Sequence, residues 1–192
     1  MDNINKIQAR IAQSAEVKQA IIADSELMRK ISESIDIITD AFKNGNKVYF
    51  CGNGGSAADA QHLAAEFSGR FFLDRDSLPS EALHCNTSYL TAISNDYGYE
   101  MAYARLLSGI AKRGDILVGI STSGNSQNII QAFDKCRELG VYTIALTGSN
   151  GGKMAEICDL LLNVPSENTP RVQESQITIG HIICELVENN IF

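Results

Sequence analysis

His62 and Glu66 stand four residues apart in the stretch VYFCGNGGSAADAQHLAAEF, residues 48–67. At that spacing on a helix they share one face, about one turn apart. An imidazole beside a carboxylate can move protons or hold a metal ion. The same pair is also common on solvated helix surfaces, so its location has to decide. Just before it, an apolar run breaks into Gly52-Asn53-Gly54-Gly55-Ser56, a turn of small residues that opens the helix. Glu66 can therefore face whatever that turn holds. The chain has two other histidines. His181 lies in RVQESQITIGHIICELVE, eight residues after Gln173, two turns along and nearly on one face. Flanked by Ile182 and Ile183, it would also suit a core position. His84 sits in a strand-like run and reads as structural or exposed.

Two further loops resemble the first in chemistry. STSGNSQN, residues 121–128, follows the apolar DILVGI, and TGSNGGKM, residues 147–154, follows YTIAL. Each is built from Gly, Ser, Thr and Asn and opens a helical segment. Backbone N–H groups at a helix N terminus, with hydroxyls beside them, bind an anion without lysine or arginine. Such residues are also ordinary turn and capping residues. STSGNS, with hydroxyl and amide residues around a glycine directly after a buried strand, exceeds what capping needs and points to a phosphate monoester. Gly52 to Ala57 also satisfies G-x-G-x-x-A, a dinucleotide-binding variant. That motif wants an acidic residue at the end of the next strand, whereas Asp74 and Asp76 fall in the loop FLDRDSLP before it. No G-x-x-x-x-G-K-[ST] occurs, which excludes a P-loop.

Acid, base and phosphate cradle together suit proton transfer on a sugar phosphate. Moving a carbonyl between adjacent carbons takes a proton from one and delivers one to its neighbour. A carboxylate and an imidazole can do this, each contributing about 10²–10⁴-fold. Donors or a metal ion must then stabilise the enediolate between. His62, Glu66, Gln173 and His181 also form an N/O ligand set for zinc, although glutamine is an unusual zinc ligand.

These groups need a frame. The first 45 residues read as helix: Ile4, Ile7 and Ile11 keep helical spacing, then Leu27, Ile31, Ile35, Ile38 and Phe42 form a second stripe before Asn44-Gly45-Asn46. Strands are predicted at 47–51, 81–85, 115–120, 142–147 and 160–164. Helices are predicted at 56–69, 97–111, 126–139, 151–157 and 173–190. The alternation implies βαβ units and a parallel sheet covered on both faces, with ligands at the carboxyl ends of the strands. At 192 residues the chain fits one domain, and 44% hydrophobic with 20% charged residues is ordinary for a soluble globular protein. No segment suggests a membrane span or a leader. Cysteines 51, 85, 136, 158 and 184 are odd in number and form no C-x-x-C pair, which points to reduced thiols in the cytoplasm. A net charge of −7 disfavours nucleic acid as a partner.

CGNGGSAADAQHLAAEFSGRF, GISTSGNSQNII, ALTGSNGGKMA and TPRVQESQITIGHIICELVE, in that order, resemble the phosphoheptose isomerases, the sedoheptulose-7-phosphate isomerases of the sugar-isomerase (SIS) fold superfamily. The resemblance runs over nearly the whole chain from residue 47. It implies a single SIS domain over 1–192, a five-stranded parallel sheet in an α/β/α sandwich. It also implies N-terminal helices, residues 1–45, that pack on the core and on neighbouring subunits of a homotetramer with active sites between subunits. It implies conversion of D-sedoheptulose 7-phosphate to D-glycero-D-manno-heptose 7-phosphate, opening bacterial heptose biosynthesis. In it Glu66 matches the base and His181 the general acid. Asn53, Gly54, Gly55, Ser56, Asn95, Asp96, Ser121, Thr122, Ser123, Ser126, Gln173 and Glu66 itself match substrate-binding positions. His62, Glu66, Gln173 and His181 match a zinc site, one ion per subunit. Two places depart from the pattern: PSENTP before Arg171 lacks an aspartate found in some members, and Ala65 stands where some carry a second acid. Rival expectations are a non-catalytic SIS-fold scaffold, of the kind that binds a replication initiator, and an isomerase of another phosphosugar. The scaffold relative lacks a glutamate at the position of Glu66.

Overall fold

The computed structural model describes residues 2–192. Two helices come first, α1 (Asn3–Ala23) and α2 (Ser25–Lys43). Asp24 separates them: its extended backbone breaks the first helix, and its carboxylate caps the second by accepting from the N–H groups of Glu26 and Leu27 at 3.1 and 3.0 Å. Then follow β1 (Val48–Gly52), α3 (Gly55–Ser68), β2 (Ser80–Ala82), α4 (Thr87–Tyr97), a 3₁₀ turn (Tyr99–Met101) and α5 (Ala102–Ile110). The chain closes with β3 (Ile116–Ser121), α6 (Gln127–Leu139), β4 (Tyr142–Thr147), a second 3₁₀ turn (Gly152–Glu156), β5 (Leu160–Asn163) and α7 (Thr169–Ile191).

The five strands form one parallel sheet in the order β2-β1-β3-β4-β5. Its central strands are buried throughout, because helices cover both faces. On one face Phe50, Val118 and Ile144 meet Ile38 of α2, Phe67 of α3 and Ile183 of α7. On the other, Tyr49, Leu117 and Ala145 meet Leu107 of α5 and Phe133 of α6. The five-stranded α/β/α sandwich is therefore as expected. From β1 the chain moves outward to β2, then enters β3 on the opposite side. The loops after β1 and β3 thus depart toward opposite faces, and the crevice between them is where such sheets bind ligands.

Three expectations change. The predicted helix 97–111 starts only after Gly98, whose φ of +90° no α-helix accommodates, and consists of the 3₁₀ turn Tyr99–Met101 followed by α5. α4, just before it, matches no predicted helix: it buries none of its residues, so no apolar stripe announces it. The edge strand is Ser80–Ala82, shorter than 81–85, because the chain turns where Cys85 N–H bonds back to Ala82 O. The segment predicted as helix at 151–157 is a 3₁₀ turn.

Candidate active site

The glycine turn after β1 is tightly made. A Cβ on Gly52 would lie 2.3 Å from the Ser56 carbonyl oxygen, so only glycine lets the strand meet the helix this closely. Gly54, at φ +56°, precedes α3 in a backbone region that favours glycine. Ser56 is buried within the turn. The turn is also fastened from outside. Asn53 and Asn128 exchange amide hydrogen bonds at 2.9 and 2.8 Å, tying the turn to the first residues of α6. Tyr99 donates to Asn53 Oδ1 at 2.9 Å, and Tyr103 donates to Gly52 O at 2.6 Å. Burial, with Tyr99 beside it, pushes the Tyr103 phenol well above its usual range, so it remains a donor.

Gly52 pairs in register with Ile120, which puts Asn53 and Ser121 side by side at the carboxyl ends of adjacent strands. Ser121 and Ser126 hydroxyls lie 2.9 Å apart, and Ser123 Oγ accepts the Asn125 N–H at 3.2 Å. Thr122 is half-buried between Ser121 and Ser123. The third loop does not repeat this chemistry. Its N–H groups bond to the second loop: Gly148 to Thr122 O at 3.1 Å, Met154 to Gly124 O at 3.0 Å and Lys153 to Asn125 Oδ1 at 3.1 Å. It is a backing for the serine cradle.

α3 and α7 run side by side in the same direction. Gln173 lies against Gly55, where a Cβ would meet its Nε2 at 2.7 Å. One level on, Gly180 lies against Leu63, where a Cβ would come within 2.5 Å of Leu63 Cδ1. That approach brings the neighbouring His181 to His62, their Nε2 atoms 2.9 Å apart. Glu66 Oε1 stands 3.3 Å from His62 Nε2. Donor atoms of His62, Glu66 and His181 all lie within 4.8 Å of one another. The structure thus brings these three together, with Gln173 on the same side of α7. The His62 side chain keeps 51% of its surface exposed, so the cluster opens outward. Asn95 and Asp96, by contrast, are exposed on the last turn of α4, and their side chains bond to each other at 3.0 Å. His84 is half-buried, and burial lowers its pKa.

Sequence reasoning missed several contributors. Asp59, one turn before His62, is half-buried beside the cluster: burial raises its carboxyl, while His62 and His181 pull it down. Its i,i+3 spacing was the available signal. The roles of Tyr99, Tyr103 and Asn128 had no local signal. A cleft of about 550 Å³ lies instead at the amino ends of the strands, near Ile116, Tyr142, Asn44, Arg113 and Gly140. The C termini of α2 and α6 meet it, and helix C termini repel anions.

A SIS-domain family profile matches residues 9–148. A phosphoheptose isomerase of Aneurinibacillus thermoaerophilus is 55% identical over 186 residues, covering 97% of this chain and 94% of that protein. The chain belongs to the phosphoheptose isomerase family. The phosphoheptose isomerase of Clostridium acetobutylicum is 51% identical over 188 residues, covering 98% of this chain and 96% of that one. Among solved structures, a phosphoheptose isomerase from Neisseria gonorrhoeae superposes with a TM-score of 0.91 at 39% identity, covering 98% of this chain and 100% of that one. One from Francisella tularensis gives 0.93 at 32% identity, with the same coverage. The phosphoheptose isomerase fold therefore extends over the chain, including the helices ahead of the sheet.

Proposed function

We propose that this chain is an aldose–ketose isomerase that converts D-sedoheptulose 7-phosphate to D-glycero-D-manno-heptose 7-phosphate, the entry to bacterial heptose biosynthesis. The observation that carries this is the convergence of Glu66 and His181 from two helices beside the glycine turn, in a chain about half identical to phosphoheptose isomerases over nearly all its length. The Glu66 carboxylate removes a proton from C1, and the electron pair of that C–H bond forms the C1–C2 double bond. His181 gives a proton to O2. It then takes the proton from O1 as the carbonyl forms at C1, while Glu66 returns its proton to C2. Ser121, Thr122, Ser123 and Ser126 hold the phosphate by hydroxyl and N–H donation. Asn53, Gly54, Gly55, Ser56, Asn95, Asp96 and Gln173 contact the sugar.

His62, Glu66 and His181 fit a zinc ion, with Gln173 completing the set. Around a four-coordinate ion with bonds of about 2.1 Å, ligand atoms stand about 3.4 Å apart. The observed separations run from 2.9 to within 4.8 Å. When bound, zinc would act as a Lewis acid on the oxygens of the enediolate. A nitrogen of His181 that carries the proton cannot at the same time ligate metal, so the two roles compete. The open face of the cluster, with Ile4, Ile7 and Ile11 of α1 at 58–65% exposure, supports a homotetramer in which a neighbouring subunit closes the site. Five free cysteines support a reducing, cytoplasmic setting.

The test is incubation of the pure protein with sedoheptulose 7-phosphate, alone, with chelator, and with chelator followed by zinc. Aldoheptose phosphate should appear. No product under any condition sinks the proposal, and turnover indifferent to chelator removes zinc from it. A Glu66→Gln variant that turned over at the wild-type rate would show that the base is another group.

A further inference from the structure

Below the cluster, α3 and α7 are joined by a second group of charged residues. Arg75 and Glu188 form an ion pair, Nε to Oε1 at 2.8 Å, with side chains only 2% and 1% exposed. Glu188 also accepts from three successive backbone N–H groups: Phe71 at 3.1 Å, Phe72 at 2.8 Å and Leu73 at 3.0 Å. Arg75 donates to the carbonyls of Glu66 and Phe67, both at 2.8 Å, and of Gly69 at 3.1 Å. No basic residue occupies the last turn of α3. Arg75 supplies that cation from the loop, at the end of the helix where it is favourable.

A buried ion pair is weak evidence for stability, since well-packed apolar residues in its place are often as stable. What it provides is direction: nearly every donor and acceptor here is aimed at backbone next to the reacting groups. Glu66 itself gives its carbonyl to Arg75. Phe71, whose N–H is held by Glu188, lays its ring against His181, centroids 5.9 Å apart and planes at 41°.

We propose that Glu188, seated by Arg75, is a positioning residue for the isomerase centre: it props the His181 ring through Phe71 and ties the turn bearing Glu66 to α7. This rests on the reading of Glu66 and His181 as the proton-moving pair. Because proton transfer depends on geometry, a displacement of about 1 Å can cost 10²-fold, and it does so without loosening the phosphate held elsewhere.

The experiment uses the intact protein with ¹⁵N-labelled histidine, whose three imidazoles are distinguished by losing one set in His181→Gln and another in His84→Gln. In Glu188→Gln, kcat should fall at least about tenfold with KM for sedoheptulose 7-phosphate within about twofold. The His181 ring resonances should move while those of His84 stay. Phe71→Leu keeps the buried pair and should show the same pattern, reduced to about threefold in kcat; it decides the matter if Glu188→Gln does not fold. Unmoved His181 resonances in the folded variants, or a wild-type kcat, overturn the proposal. The imidazole readout needs no turnover. It therefore judges the positioning role even if Glu66→Gln retains full activity, an outcome that sinks only the functional reading beneath.

Discussion

Glu66 and Glu188 ride on one pair of parallel helices, in opposite circumstances. Glu188 is fully enclosed and accepts from three N–H groups and a guanidinium. Glu66 has 20% of its side chain exposed and an imidazole 3.3 Å away. The saturated carboxylate is locked: burial raises its pKa, but the N–H donors of residues 71–73 and Arg75 outweigh that and hold it low. The other is partly exposed and accepts no backbone N–H bond, as the proposed base requires.

Substitutions at the two carboxylates should therefore separate activity from stability. Glu66→Gln carries the largest effect on activity: turnover should drop about 10²–10⁴-fold, while the free energy of unfolding in urea changes by no more than about 0.5 kcal/mol. Arg75→Ala should do the reverse first, costing about 3–5 kcal/mol in urea unfolding, because Glu188 is left as a buried charge without its partner. If both variants lost stability equally, the contrast between the two carboxylates would collapse. Ser126→Ala, which removes a hydroxyl from the cradle, should cost about 1.5–3 kcal/mol of binding to the charged phosphate, measured as a raised KM. Gly180→Ala sharpens the comparison midway along the pair. Leu63 is in the core and must give way to the new methyl, for about 1–3 kcal/mol of stability, and kcat should fall because His181 is the next residue.

The smallest effect is with pH. Since the folded-state pKa of Glu188 lies below its usual 4.5, its contribution is complete above that value and is lost as pH falls through the folded value. Urea midpoints measured from about pH 7 down to about pH 3 should fall more steeply for wild type than for Glu188→Gln. Parallel curves would mean that Glu188 is not the carboxylate responsible.

Much of the architecture was legible because it is written in short periods. Leu27, Ile31, Ile35 and Ile38 keep one helical stripe and are buried along α2. Apolar runs such as ILVGIS mark strands covered on both faces. The spacing of His62 and Glu66 put them on one face, as observed. α4 escaped notice because it buries nothing and so has no stripe. The serine loop and the third loop look equivalent in composition. Only the third loop's hydrogen bonds to Thr122, Gly124 and Asn125 reveal its supporting role.

By itself, then, the sequence determined which buried strands and helices form and which residue types stand at the ends of the strands, since both follow from side-chain periodicity and backbone permissiveness over a few residues. The tertiary structure alone decided which of these residues meet. Arg75 and Glu188 are 113 positions apart, and His62 and His181 are 119. No local pattern encodes such pairings: they exist because burying the apolar faces of α3 and α7 against one sheet brings the two helices close, at Gly55 and Gln173 and again at Leu63 and Gly180.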